Sequence, residues 1–133
     1  LESNSTLVGI LLDQEDADRW RPILERTAGA PGGWGSSAGD SSAIIVGRLA
    51  SGVANDTHDP SWFYHVFGDK VWGFARQAQK AWHGWRGVCT DALLELPAVC
   101  AMTAGSLLFA PPDWRHNTCH LSNSTMSLIQ WGP

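Results

Sequence analysis

The chain has 133 residues, of which 44% are hydrophobic and 17% charged, and a formal net charge of -4. That length suits one domain, residues 1–133, with enough core to fold without staples. The nine Lys and Arg are scattered, so no basic stripe exists to track a phosphate backbone, which argues against nucleic acid as a partner. No apolar run reaches the roughly 18 residues that a membrane-crossing helix needs.

Leu1 is not preceded by an initiator Met, and the first residues carry no signal-peptide pattern, which reads as a processed or trimmed product. Leu7 to Leu12 is a short apolar run that fits a strand. From Asp16 the spacing changes: Trp20, Ile23, Leu24, Thr27 and Ala28 recur at helical intervals, with acidic residues near the start and Gly29 past the end. Pro22 is compatible with a first turn, where its missing N–H has no intrahelical partner to lose. These features predict one amphipathic helix of about three turns. Residues 29–42, "GAPGGWGSSAGDSS", have no periodicity and read as a long loop of the kind that is often functional.

Strands then dominate: 43–49, 62–67, 70–75, 98–103, 106–110, 115–121 and 125–131. The two-residue connection Gly68-Asp69 is short enough for a hairpin turn. Residues 76–96 form an insertion, in which "DALLEL" suggests a helical turn stopped by Pro97. One helix followed by short strands with Gly and Pro punctuation predicts a mainly β jelly roll or sandwich.

Three triplets, Asn4-Ser5-Thr6, Asn55-Asp56-Thr57 and Asn123-Ser124-Thr125, match the acceptor for N-linked sugar and point to a secretory route. The three cysteines, Cys89, Cys100 and Cys119, allow one disulfide. None is spaced as a zinc knuckle. Cys89 with Cys100 is a plausible pair, being local to the insertion and the strand after it, although only geometry decides. Eight tryptophans suit a ligand cleft or an interface as well as core filling.

The last third, "LPAVCAMTAGSLLFAPPDWRHNTCHLSNSTMSLIQW", resembles the end of a Jumonji-C domain, a branch of the cupin or double-stranded β-helix oxygenases. Gly105, Leu108, Phe109, Pro111, Trp114, His116 and Trp131 fall where that pattern has a loop glycine, a strand, a proline turn, an aromatic, a histidine and a final aromatic. Upstream, "HDPSWFYHVFGDKVWGF" resembles the family's metal-ligand strand and its G-x-K-x-W segment, here Gly68, Lys70 and Trp72. A weaker likeness continues through "SAIIVGRLASGV" to Trp20. The nearest branch is that of the Jumonji-C-like proteins of the endoplasmic reticulum lumen.

The resemblance implies a cupin-like double-stranded β-helix and, in active members, Fe(II) and 2-oxoglutarate. Such iron is held by two His and a carboxylate on one face, the first two written His-x-Asp or His-x-Glu because alternate strand residues point the same way. Here His116 matches the later ligand. Near residue 58 the order is reversed: Asp56 and His58 share a face, which with His116 keeps a possible triad. Thr57 and Asp59 share the other face and offer a carboxylate without an imidazole. His58 beside Asp59-Pro60 also reads as a turn residue. Lys70 resembles the family's anchor for the distal carboxylate of 2-oxoglutarate, and reads equally as a solvated lysine after a turn. His120 lies on the face of His116 but too far along for the same ion, and His65 and His83 read as ordinary surface or packing histidines.

Two functions follow. One is a catalytically silent Jumonji-C-like domain that serves as a protein-binding or accessory subunit of a larger assembly. The other is an Fe(II)- and 2-oxoglutarate-dependent protein hydroxylase using Asp56, His58, His116 and Lys70. A lectin or small-ligand cupin without redox chemistry is a third possibility. The expected location is a lumen: reticular by resemblance, with thylakoid or extracellular space as alternatives.

Overall fold

The computed structural model describes residues 7–12, 15, 19, 22, 26, 41–54, 56, 57, 59–76 and 89–131. Among these residues eight strands run in chain order: β1 Leu7–Leu12, β2 Ser41–Arg48, β3 Ser61–Phe67, β4 Lys70–Arg76, β5 Ala98–Met102, β6 Leu107–Ala110, β7 Trp114–His120 and β8 Ser124–Trp131. A 3-10 turn, Asp91–Glu95, precedes β5. Glu15, Arg19, Pro22 and Arg26 are helical and exposed. The rest of the predicted helix lies outside the described residues, as do residues 29–40 of the predicted loop and 77–88 of the insertion.

The strands form two antiparallel sheets, one ordered β1-β2-β8-β3-β6 and the other β5-β4-β7. Their facing sides enclose the core. Phe63, Ala110 and Ile129 from the first sheet pack with Trp72, Phe74 and Met102 from the second. Period-two alternation explains the choice of side chains: on β4, Lys70, Trp72 and Phe74 point inward, and Val71 and Ala75 point outward. Leu93 and Leu96, in and just after the 3-10 turn, are buried, and Leu96 packs on the outer face against Ala75. On the outer face of the first sheet Tyr64 and Leu128 form a second cluster with Ile44, Val66 and Met126.

Gly68-Asp69 is not a hairpin turn. β3 pairs with β6 and β8, whereas β4 pairs with β5 and β7, so the two residues carry the chain from one sheet to the other. Gly68 adopts φ +80°, a conformation that suits glycine. A Cβ at this position would meet the Ser124 carbonyl oxygen at 2.5 Å. The Asp69 N–H donates to Ser122 Oγ at 2.9 Å, and the Leu121 N–H to Asp69 O at 2.8 Å. These bonds fix the corner against the β7–β8 turn.

The disulfide also differs from the expected pair. Cys89 is bonded to Cys119, and Cys100 is free. The reason is strand parity. Cys100 is opposite Trp72 and packs with the core, whereas Cys119 is opposite Val71 on the outer face. Cys89 reaches the sheet from outside.

Candidate functional site

The candidate site lies between the sheets, along β4 and β7. Register places His116 opposite Phe74, Thr118 opposite Trp72 and His120 opposite Lys70, so three inward positions of each strand form a ladder. At one end, His116 is 2% exposed. Its ring lies 5.1 Å from Trp72, 5.8 Å from Phe74 and 6.4 Å from Phe63, centroid to centroid. Trp72 stacks on Phe74 at 5.5 Å and meets Phe63 edge-on at 4.5 Å, the geometry that ring quadrupoles favour.

Asp56 is brought to His116. The two residues form an isolated antiparallel bridge with both backbone bonds made: Asp56 N–H to His116 O at 3.0 Å and His116 N–H to Asp56 O at 2.9 Å. Their surroundings differ, however. Asp56 is exposed, and its Oδ1 accepts the Thr57 N–H at 2.8 Å. Among the described residues no group of three His, Cys, Asp or Glu side chains is gathered around one ion position. His58, the remaining member of the expected triad, and His83 lie outside the described residues. Asp59 is exposed, and its carbonyl accepts the Ser61 hydroxyl at 2.7 Å, consistent with a turn into β3.

The other end of the ladder is polar. Lys70 is 2% exposed, and its Nζ lies 4.4 Å from the Trp72 ring centroid, so it is a core lysine and not a solvated one. Burial pulls its pKa down to about 7. His120 is 1% exposed, and desolvation first, then the nearby Lys70 and His65, lower its pKa to about 3. The His120 ring Nδ1 bonds to Thr125 Oγ1, and that hydroxyl donates to the Gly47 carbonyl at 3.3 Å. The hydroxyl proton is thereby committed, so Nδ1 carries the imidazole hydrogen and Nε2 is the bare acceptor. Neither His120 Nε2 nor the Trp72 indole N–H has a hydrogen-bond partner among the described residues. Gly47 is required here, since a Cβ would lie 2.5 Å from the His120 ring.

His65 completes this end. It is fully buried, with Nδ1 2.8 Å from Ser127 Oγ and Nε2 3.0 Å from the Gly68 carbonyl. The carbonyl can only accept, so Nε2 is the protonated nitrogen and Nδ1 accepts from the serine. Desolvation lowers its pKa, against the Gly68 bond. Sequence reasoning set His120 aside as too far along the strand for the ion of His116 and read His65 as a surface or packing histidine; it did not bring either to Lys70. Period two had placed His120 on the face of His116; what it could not supply was the β4–β7 register that sets His120 opposite Lys70.

Cavities also lie elsewhere among the described residues. One, of about 230 Å³, is lined by Phe74, Ala98, Val99, Cys100, Leu108, Phe109, Pro111 and Trp114. It opens between the edges β5 and β6, where Trp62 contacts Phe109 at 4.7 Å on an exposed apolar surface. Another, of about 370 Å³, lies beside the disulfide, between Val71, Leu121 and the 3-10 turn. Neither is lined by Lys70 or His116.

No protein-family model matches the sequence, nor does any curated protein. Solved structures do match in fold. A cupin superfamily protein of Desulfitobacterium hafniense aligns over 98% of this chain and 81% of its own, with TM-score 0.56 and 9% identity. An RmlC-like cupin with a double-stranded β-helix from Methanocaldococcus jannaschii aligns over 71% and 70%, with TM-score 0.51 and 7% identity. E. coli ycfD aligns over 96% of this chain and 34% of its own, with TM-score 0.61 and 16% identity. The chain spans 40% of the length of the DMSP lyases that share the fold. At such identities the architecture is what is shared: two antiparallel sheets closing on one core, the double-stranded β-helix of the cupin superfamily.

Proposed function

We propose that the chain is a Jumonji-C-like cupin domain that acts in the lumen of the endoplasmic reticulum as a binding or accessory subunit, its iron site degenerate. The observation that carries this reading is the contrast between the surroundings of the two described candidate ligands. Backbone bonds hold Asp56 and His116 opposite each other, yet the carboxylate faces solvent and serves its own turn. The imidazole is enclosed by Phe63, Trp72 and Phe74. A ligand set needs both groups aimed at one point and held there by supporting bonds. The exposed Phe109 and Leu107 on edge strand β6, Val99 on edge strand β5, and Trp62 on β3 beside β6 supply apolar surface suited to a protein partner. The Cys89–Cys119 bond favours an oxidising compartment.

The second reading, an Fe(II)- and 2-oxoglutarate-dependent protein hydroxylase, is favoured by the polar end of the ladder. Lys70, the Trp72 N–H and His120 Nε2 are buried polar groups without a carboxylate partner among the described residues. A carboxylate of a small acid would answer the first two of them. In that reading Asp56, His58 and His116 would hold the metal, and Lys70 the distal carboxylate of 2-oxoglutarate. The iron would supply oxygen activation coupled to decarboxylation of 2-oxoglutarate.

Protein purified without oxygen and supplied with Fe(II) and 2-oxoglutarate separates the two. The accessory reading expects neither stoichiometric iron nor succinate, and no change in either with Asp56→Ala or His116→Ala. Iron bound one per chain, lost in both variants together with turnover, would replace it by the hydroxylase.

A further inference from the structure

The triplet Asn123-Ser124-Thr125 is used by neither reading, and both of its chemically essential residues are described. Asn123 is exposed in the short turn between β7 and β8. That turn is anchored from below by the Asp69–Ser122 and Leu121–Asp69 bonds, so the amide side chain is presented outward on a fixed corner. Two residues on, Thr125 is wholly buried in β8, opposite Gly47, with its hydroxyl held between His120 and the Gly47 carbonyl. The triplet therefore straddles the surface: its acceptor faces solvent and its recognition hydroxyl lies in the core.

We propose that Asn123 carries an N-linked glycan, and that the sugar is added before β8 joins the sheet. The donor is a lipid-linked oligosaccharide diphosphate, brought by its transferase. The new bond joins Asn123 Nδ2 to the anomeric carbon of the first sugar. The bond from that carbon to the diphosphate oxygen breaks, the lipid diphosphate leaves and one amide proton passes to base. A transferase that reads Asn-x-Ser/Thr must reach the hydroxyl as well as the amide. In the folded protein that would mean pulling Thr125 out of its bonds to His120 and Gly47 and breaking the β2–β8 pairing around it. Once folded, the hydroxyl is sequestered and the glycan remains on the outer corner, where a bulky polar group meets no packed neighbour. The inference draws on the lumenal placement but on neither catalytic reading.

The full chain is expressed behind a secretion leader in eukaryotic cells and mapped by peptide mass before and after removal of N-glycans. The expected result is a glycan on Asn123 in protein whose Cys89–Cys119 bond is formed. It should disappear in Asn123→Gln with the fold intact, and persist in Thr125→Ser, which keeps the hydroxyl. In a second arm, unglycosylated chain is offered to solubilised transferase and lipid donor. The reduced, unfolded chain should accept sugar at Asn123, and the folded chain should not. An oxidised secreted protein with Asn123 bare overturns the site. Equal transfer to folded and unfolded chain overturns the order of events. The lumenal placement fails separately, if protein from its native cells has Cys89 and Cys119 reduced.

Discussion

Lys70 is a cation set almost entirely inside a β core, with an aromatic face as its described contact and, among the described residues, no carboxylate to neutralise it. Desolvation disfavours the charged form, so the folded state holds this lysine near pKa 7 while the unfolded chain keeps 10.5. Between those values the unfolded state binds more protons, and stability must rise with pH across that window at up to about 1.4 kcal/mol per unit. Lys70→Met should therefore be more stable than the parent at pH 7, with the advantage shrinking toward pH 10; urea midpoints at several pH values measure it. A parallel pH response in both proteins would show that the amine is not desolvated. Gly47 offers a second test at this scale. Gly47→Ala places a methyl 2.5 Å from the His120 ring, an overpacking expected to cost about 1–3 kcal/mol. The cost should largely vanish in a His120→Ala background, because the three atoms nearest the added methyl all belong to that ring.

The strands show what alternation and punctuation can and cannot tell. Their positions were legible to within a residue or two, because each is a short apolar or alternating run between turn residues. His116 and Lys70 were legible as inward positions through the resemblance. Pairing was not legible. Gly68-Asp69 has the length of a hairpin turn, yet joins strands of different sheets, because burial between sheets outweighs local turn preference. The same non-local information placed His65 and His120 beside Lys70, and it decided the disulfide. Cys100 and Cys119 flank β4 from opposite sides and face opposite ways, so no side-chain rotation can exchange one for the other. Unfolded, unreduced protein should accordingly yield one alkylated thiol, and peptide mapping should assign it to Cys100. In the folded protein that thiol should react slowly, since it is half-buried and burial raises its pKa. With a sequence separation of 30 between Cys89 and Cys119, the double change to Ser should cost about 3–4 kcal/mol by the loop-entropy account.

At the scale of the molecule the barrel has two unlike ends, an aromatic one around His116 and a basic one where Lys70, His65 and His120 converge from different strands. The basic end sets how the protein responds to acid. Both histidines have folded-state pKa values below the ordinary 6.5, His120 at about 3. Between the folded and unfolded values it is again the unfolded chain that binds more protons, so their contribution is full above pH 6.5 and is lost as pH falls below it. Going from pH 6.5 to 5, His120 alone should remove about 1.7 kcal/mol. The charged groups facing it are Lys70 and His65, from β4 and β3. Both carry positive charge more readily as pH falls, so protonation of one histidine works against the others and the loss should steepen. Urea unfolding followed at pH 7, 6, 5 and 4 should show the midpoint falling below pH 6.5 in the parent and falling less in His120→Gln, which keeps a polar side chain at the Thr125 contact but does not titrate. Equal slopes in the two proteins would mean that the basic end is hydrated, and that its buried histidines do not govern acid stability.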